Sequence, residues 1–306
     1  MFFSRGAAGR TAPSSSALAA SLTLLLALST ALASEGGDPP GNEEYVLRWS
    51  DEFEQDGSPS ADNWGFESGF VRNHEAQWYQ PENAWCEKGR LIIEARRETR
   101  KVEPAASGRG VPAWVRQRTQ AEYTSASLNT RGKRSWLYGR FVMRARIPAV
   151  QGAWPAFWTL GEGRWPACGE IDVMEYYDDS LLANAAWLGE GGRPQWDASK
   201  RPLADFGDRS WSQSFHVYRM DWDAGSIRLY VDDELVNAID TRAVRNADED
   251  GANPFRRPHY LLLNLAVAGV HGGDPSDTPF PVRYEIDYVR VYQQAGAPKV
   301  VSLTKD

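Results

Sequence analysis

"SIRLYVDDELV", residues 226–236, decides the fold class of this chain of 306 residues. Apolar residues occupy every second position in its first half: Ile227, Leu229 and Val231. Side chains on a strand point alternately to the two faces of a sheet, so this pattern predicts a strand with one buried face. The pair Asp232-Asp233 supplies the turn that ends it. The stretch therefore predicts a half-buried strand followed by a turn.

Similar short runs, rich in β-branched or aromatic residues, recur along the chain with turn signals between them. They are "RLIIEARRE" (90–98), "YGRFVMRARIP" (138–148), "FHVYRMDWD" (215–223), "HYLLLNLAVAG" (259–269) and "RYEIDYVRVYQQ" (283–294). Regular strand spacing with hardly any helical periodicity predicts an all-β sandwich of two antiparallel sheets. One long irregular stretch, from about Thr99 to Glu122, either walls a cleft or forms a mobile surface excursion.

The two ends of the chain differ in character from its middle. Arg5 and Arg10 precede an apolar run from about residue 17 to residue 32, and Ala31-Leu32-Ala33 resembles a small-residue cleavage site. This pattern predicts a signal peptide over 1–33 and a polar linker over 34–43, which leaves one main domain over 44–294 and a tail over 295–306. A membrane anchor is not expected, because the apolar run is shorter than the ~20 residues that a spanning helix needs. We therefore expect a secreted, extracellular or periplasmic protein that is a monomer.

The charge and the residue composition restrict the kinds of partner that the protein is expected to bind. The formal net charge is −7, which argues against a nucleic-acid or anionic-membrane partner. The four histidines form no HExxH-like motif, so no catalytic metal is expected. The chain has 13 tryptophans, and such aromatic side chains either stack on sugar rings or fill a sandwich core. Two cysteines, Cys86 and Cys168, either pair or stay free, and the sequence does not decide between these.

Three acids stand close together in "GEIDVMEYY", residues 169–177: Glu170, Asp172 and Glu175. On a regular strand Glu175 would face away from the other two. A β-bulge at about Val173-Met174 would bring it back to their face. Two carboxylates that flank a scissile bond are the equipment of a glycosidase.

The acid motif, Glu-x-Asp-x-x-Glu, resembles the active-site signature of glycoside hydrolase family 16, laminarinase-like branch. Eight further blocks extend the resemblance along the domain at 44–294, which would be the catalytic domain: "WSDEF" (49–53), "NHEAQWY" (73–79), "LIIEARRE" (91–98), "YTSASLNT" (123–130), "YGRFVMRARIP", "GAWPAFWTLG" (152–161), "FHVYRMDWD" and "IDYVRVYQ". The resemblance implies a β-jelly-roll with a concave substrate cleft and a retaining mechanism. By position, Glu170 is the nucleophile, Glu175 the acid/base and Asp172 the helper between them.

The resemblance also implies contacts with substrate and metal. The expected substrate contacts are Trp154 and Trp158 on the glycone side, together with Trp136, Asn73, Arg96 and Trp187. No cofactor is expected for catalysis, but a structural Ca²⁺ is implied at Glu52, Gly89 and Asp287.

One strand departs from the family pattern. Laminarinases of this branch follow the acid motif with a strand like "HGTIH", whereas this chain has "LLANAAW", with Asn184 and Trp187. The departure leaves the glycan open: a β-1,3- or mixed-linkage glucan first, or a β-galactan of algal, keratan or mucin type. A non-catalytic carbohydrate-binding sandwich and transglycosylation are the other hypotheses.

Overall fold

The computed structural model describes residues 45–102, 111–208, 210–248 and 250–295. The predicted signal peptide and linker lie outside the described residues, as does the predicted tail beyond Ala295. Within the described part of the chain, no helix is long and apolar enough to cross a membrane.

The described residues form 19 strands, one short α-helix and five 3-10 helices. The strands are β1 (Tyr45–Asp51), β2 (Gly65–Phe66), β3 (Gln77–Tyr79), β4 (Ala84–Cys86), β5 (Leu91–Ala95), β6 (Arg100–Lys101), β7 (Gln120–Ala121), β8 (Tyr123–Ser125), β9 (Ser127–Asn129), β10 (Gly139–Arg146), β11 (Ala153–Gly161), β12 (Glu170–Tyr177), β13 (Ser180–Leu188), β14 (Pro194–Pro202), β15 (His216–Trp222), β16 (Ser226–Val231), β17 (Glu234–Asp240), β18 (His259–Val267) and β19 (Val282–Gln294). The helix α1 spans Ala113–Arg116, and the 3-10 helices span Pro81–Asn83, Glu190–Gly192, Leu203–Asp205, Trp211–Gln213 and Pro254–Arg256.

Two large antiparallel sheets form the body of the fold, in addition to the two-stranded sheets β3-β8 and β6-β7. The front sheet has the order β14-β13-β12-β11-β18-β9-β2. The back sheet has the order β17-β16-β15-β10-β19-β5-β4, and β1 also pairs with β19. In both sheets, consecutive hairpin neighbours are combined with pairs that are distant in sequence, such as β11-β18 and β10-β19, as expected for a sandwich whose chain crosses between layers. The predicted pair of antiparallel sheets is confirmed.

The core lies between the two sheets and is filled by the inward-facing half of each strand. Ile227 and Leu229 of β16 are fully buried, and β16 turns into β17 after Val231. The alternation in "SIRLYVDDELV" therefore predicts the buried residues of β16 correctly. Each such side chain contributes about 1.5–3 kcal/mol through the apolar surface that it removes from water.

The described part of the irregular stretch packs against the chain rather than standing apart from it. Strands β6 and β7 pair, and Val102 and Ala121 form a small apolar cluster with Phe70. Arg118 donates to the backbone carbonyl oxygen of Glu75 at 2.6 Å, and its guanidinium lies 4.4 Å from the centre of the Phe70 ring. This stretch therefore supports residues 70–79, the segment that carries one wall of the cavity described below.

The two cysteines are both buried and free. Cys86 ends β4 in the back sheet, whereas Cys168 precedes β12 in the front sheet. The structure therefore resolves the alternative that the sequence left open, because Cys86 and Cys168 do not form a disulfide.

Candidate active site

The strand β12 breaks its alternation where the sequence predicts. Asp172 pairs with Asn184 of β13 and Glu175 pairs with Leu182, so two residues on β12 oppose one on β13. Val173 and Met174, the two residues of the bulge, are both buried in the main core. Because both turn inward, Glu175 returns to the face that carries Glu170. The predicted β-bulge is confirmed.

The register places the three acids in three parallel rows that cross the front sheet from β11 to β14. The rows are Leu160–Glu170–Ala186–Trp196, Trp158–Asp172–Asn184–Ala198 and Ala156–Glu175–Leu182–Lys200. Residues directly opposite each other on antiparallel strands share a face. Every side chain of these rows therefore lies on the face of the sheet that is turned away from the core.

A cavity of about 620 Å³ lies over these rows. Its lining combines the three acids with aromatic and amide side chains from five strands and three loops. The lining residues are Arg72, Asn73, Glu75, Trp154, Ala156, Trp158, Leu160, Trp165, Glu170, Asp172, Glu175, Tyr177, Leu182, Asn184, Pro194, Trp196, Ala198, Asn264 and His271. Aromatic walls around a few convergent polar groups are typical of a small-molecule or glycan site.

Each glutamate receives a hydrogen bond from a different indole. Trp165 Nε1 donates to Glu170 Oε2 at 2.5 Å, and Trp154 Nε1 donates to Glu175 Oε1 at 2.8 Å. Asn184 Nδ2 donates to Asp172 Oδ2 and to Glu175 Oε2, both at 3.3 Å. A single amide thus ties the central acid to the third one, and the bulge is what allows it to reach both.

Burial dominates the electrostatics of the acids. It raises the pKa of Glu175 to about 7, aided by the negative charge on Glu170 and opposed by the hydrogen bonds from Trp154 and Asn184. Burial also raises the pKa of Asp172 well above its usual range, and the charges of both glutamates raise it further. The pKa of Glu170 is raised by burial and lowered by hydrogen bonds from Trp165 and Asp172. The hydrogen bond between the two side chains raises the pKa of Asp172 and lowers that of Glu170, which favours a proton on Asp172 and a charge on Glu170, while burial favours the protonated form of Glu175.

One wall of the cavity is held by a half-buried ion pair. Arg72 binds both carboxylate oxygens of Glu67, and its guanidinium lies 5.0 Å from the centre of the Trp158 ring. Trp158 Nε1 in turn donates to Asn264 Oδ1 at 2.7 Å. Both the face and the edge of this indole are therefore fixed before any ligand binds.

At the Glu175 end of the cavity, three rings pack together. Tyr177 and His271 stack with their centres 4.8 Å apart and an interplanar angle of 11°. His271 also meets Trp154 edge-on at 5.2 Å. Trp154, which donates to Glu175, is thus held on its outer side.

Among the predicted contact residues, Asn73, Trp154 and Trp158 line the cavity together with the three acids. The other three lie elsewhere, which corrects the prediction. Trp136 is 1% exposed and packs edge-on against Phe141 in the core, with ring centres 5.9 Å apart. Arg96 follows β5 of the back sheet and binds Glu94 at 2.6 Å.

Trp187 lies outside the cavity because side chains alternate between the two faces along β13. It lies three positions after Asn184 on β13, so the two side chains face opposite sides of the sheet. Asn184 faces the cavity, whereas Trp187 packs against Phe255 with ring centres 6.1 Å apart. Trp187 is therefore not a cavity residue.

Sequence reasoning also missed several cavity residues. Trp196 and its neighbours at alternate positions of β14 carry a weak period-2 pattern that could have been found. Arg72, Glu75 and His271 come from loops that fold over the front sheet. No local sequence pattern predicts such long-range contacts.

The residues expected to bind calcium lie near one another along β19. Strand β1 ends at Asp51 opposite Val289, and β5 begins at Leu91 opposite Ile286, so Glu52 and Gly89 flank Asp287. Glu52, however, binds Arg290 at 2.9 Å, and Asp287 binds Arg144 at 2.6 Å. Across the described ranges, no group of three or more His, Cys, Asp or Glu side chains is arranged to hold a metal ion. Calcium would thus have to compete with two arginines.

Comparison with known proteins agrees with the geometry. The family model for glycosyl hydrolases family 16 matches residues 82–290. A β-glucanase of Rhodothermus marinus is 36% identical over 282 residues, which cover 86% of this chain and 89% of that protein.

Solved structures agree with the same assignment. The catalytic domain of an endo-1,3-β-glucanase (laminarinase) from Thermotoga petrophila is 34% identical, with a TM-score of 0.69 over 82% of this chain and 99% of that one. A structure from work on the endo-acting O-glycanases with which members of the human gut microbiota initiate mucin breakdown is also 34% identical. Its TM-score is 0.73 over 84% of this chain and 94% of that chain.

These matches confirm the expected jelly-roll fold and the expected hydrolysis of glycosidic bonds, for which the family needs no cofactor. The chain is a glycoside hydrolase and belongs to glycosyl hydrolases family 16.

Proposed function

We propose that the protein is a secreted, retaining endo-β-glycanase that hydrolyses a β-1,3- or mixed-linkage glucan. The observation that carries the proposal is the bulge in β12, which brings Glu170 and Glu175 to one cavity with Asp172 between them. The β-glucanase and the laminarinase that resemble this chain support the choice of glucan.

The electrostatics suit a double displacement. Glu175, with its pKa raised to about 7, is protonated at neutral and lower pH and gives its proton to the leaving oxygen as the glycosidic bond breaks. Glu170, ionised, attacks the anomeric carbon and forms the glycosyl-enzyme intermediate. In the second step, Glu175 takes a proton from water, whose oxygen replaces Glu170 at the same carbon.

Asp172 is the helper in this scheme. By donating its proton to Glu170 it stabilises the ionised nucleophile, and it does so from a fully buried position. Because the three groups interact strongly, they titrate as one coupled unit.

The glycone is expected to lie over Trp154 and Trp158, with Asn73 on the wall beside them. Export and a monomeric state are part of the same proposal. A structural calcium ion at Glu52, Gly89 and Asp287 also stays a prediction, and the competing arginines predict that its contribution to stability is small.

The test compares two glutamine variants of the purified protein. Glu170→Gln removes the nucleophile while keeping the side-chain volume, so hydrolysis of laminarin and lichenan should fall below about 1% of wild type. The matched control is Glu162→Gln, because Glu162 is exposed and binds Arg131 at 2.8 Å. Circular dichroism of both variants should match wild type.

A Glu170→Gln variant that keeps more than a few per cent of wild-type activity would contradict the assignment of the nucleophile. Agarose, porphyran, keratan and mucin glycans belong in the same screen, and cleavage of galactans alone would replace the proposed glucan. NMR of the first product tests retention, because a retaining enzyme releases the β-anomer first.

A further inference from the structure

Only two tryptophans of this protein are exposed, and both line the same cavity. All 13 tryptophans fall within the described residues. Trp165 is 44% exposed and Trp196 is 41% exposed, whereas the others are buried or half-buried. Both exposed indoles line the cavity. An exposed large apolar side chain in a cleft indicates a surface that a ligand covers.

Among the described residues, Trp165 already has a hydrogen-bond partner, whereas the indole of Trp196 has none. Trp165 donates its indole N–H to Glu170. Trp196 lies on the edge strand β14, in the row that runs from Glu170 through Ala186. Two strand spacings separate it from Glu170, which amounts to roughly 10 Å. A short stretch of glycan can span this distance.

A second observation points to a ligand in the same place. Asn184 is 4% exposed and uses its amide nitrogen for Asp172 and Glu175. Its carbonyl oxygen Oδ1 is buried and has no partner among the described residues. Buried polar atoms without a partner are rare in native proteins, and each one calls for an explanation. A ligand O–H or N–H that donates to this oxygen would supply one.

The two residues are close enough to hold one sugar. Asn184 lies directly opposite Ala198, and Trp196 is two positions before Ala198 on the same face. Diagonal neighbours of this kind are about 7–8 Å apart, within reach of aromatic and long side chains. The small side chain of Ala198 leaves the space between them open.

We propose that Trp196 and Asn184 form an acceptor subsite for a pyranose ring on the leaving-group side of the scissile bond. The ring stacks on the indole of Trp196 while one of its O–H or N–H groups donates to Asn184 Oδ1. The assignment rests on the proposed function, which puts the glycone over Trp154 and Trp158 and leaves β13 and β14 for the leaving group.

The subsite has a consequence for the second chemical step. A sugar held there can replace water at the glycosyl-enzyme. The bond between the anomeric carbon and Glu170 then breaks, a new bond forms to the acceptor hydroxyl oxygen, and that hydroxyl's proton passes to Glu175. Trp196 should therefore raise the ratio of transfer to hydrolysis as well as the affinity for long substrates.

The test uses Trp196→Ala and Trp196→Phe on the glycan that the wild-type protein cleaves. Aromatic contacts of this type predict that Trp196→Ala raises KM by up to about tenfold, with a smaller effect for Trp196→Phe. Transfer products, measured by mass spectrometry at high oligosaccharide concentration, should fall relative to hydrolysis products. The control is Trp85→Ala, because Trp85 lies on β4, the edge strand of the back sheet.

A double-mutant cycle with Asn184→Ala, measured at each variant's pH optimum, tests whether one sugar contacts both residues. The effects of the two substitutions on KM should then be non-additive. If Trp196→Ala matches Trp85→Ala in KM and in transfer ratio, the subsite is wrong. If wild type cleaves galactans but no glucan, the proposed substrate is wrong, and the subsite is judged on the galactan.

Discussion

The indole of Trp154 should set the alkaline limit of activity, and Trp154→Phe tests this. The substitution keeps an aromatic ring beside Tyr177 and His271 but removes the 2.8 Å hydrogen bond to Glu175. That bond stabilises the ionised form of Glu175 and lowers its pKa. Its loss should therefore raise the pKa of Glu175 above about 7.

The magnitude follows from the strength of the bond. A hydrogen bond to a charged group contributes about 1.5–3 kcal/mol, and about 1.4 kcal/mol corresponds to one pKa unit. The pKa should rise by about 1–2 units if no water replaces the indole. Glu175 must be protonated to act as the acid, so activity persists to higher pH in the variant.

The assay is the pH dependence of kcat/KM, whose limbs report the ionisations of the free enzyme. The alkaline limb of Trp154→Phe should move to higher pH. The matched comparison is Trp165→Phe, which removes the hydrogen bond to Glu170 and should move the acidic limb upward instead. An alkaline limb that stays in place or moves down in Trp154→Phe would refute the assignment of Glu175 as the acid.

Three further outcomes are expected. Leu229→Ala should lower the free energy of unfolding by about 2–5 kcal/mol, because Leu229 is fully buried; urea denaturation measures this, and a loss below 1 kcal/mol would contradict the core assignment. Dithiothreitol should leave the melting temperature unchanged, because Cys86 and Cys168 are free, whereas a clear decrease would indicate a disulfide. Calcium in place of EDTA should change the melting temperature little, because Arg290 and Arg144 neutralise Glu52 and Asp287; a large rise would show that the ion displaces them.

The features that sequence predicts best are those with a local period. Alternation in 226–236 correctly identified the buried face of β16, and the spacing of Glu170, Asp172 and Glu175 required the bulge that β12 shows. In both cases the relevant neighbours lie within a few residues along one strand, so side-chain parity suffices.

Residues whose position depends on long-range packing were predicted poorly. Trp136 is of a residue type that often contacts sugars, but its side chain fills the core between the sheets. Arg72 reaches the cavity because residues 70–79 fold over the front sheet, supported by contacts from Arg118. Trp187 differs, because parity relative to Asn184 could have excluded it from the sequence alone.

The fixed indole of Trp158 has a consequence for how strain is distributed during turnover. Arg72 covers one face of the ring, and Asn264 holds its edge. Movement of the ring would break the buried hydrogen bond to Asn264 and disturb the half-buried ion pair of Arg72 with Glu67, so this side of the cleft is rigid. Because this wall does not move, the distortion that leads to the transition state has to occur in the sugar. No free energy of binding is then lost in ordering the wall.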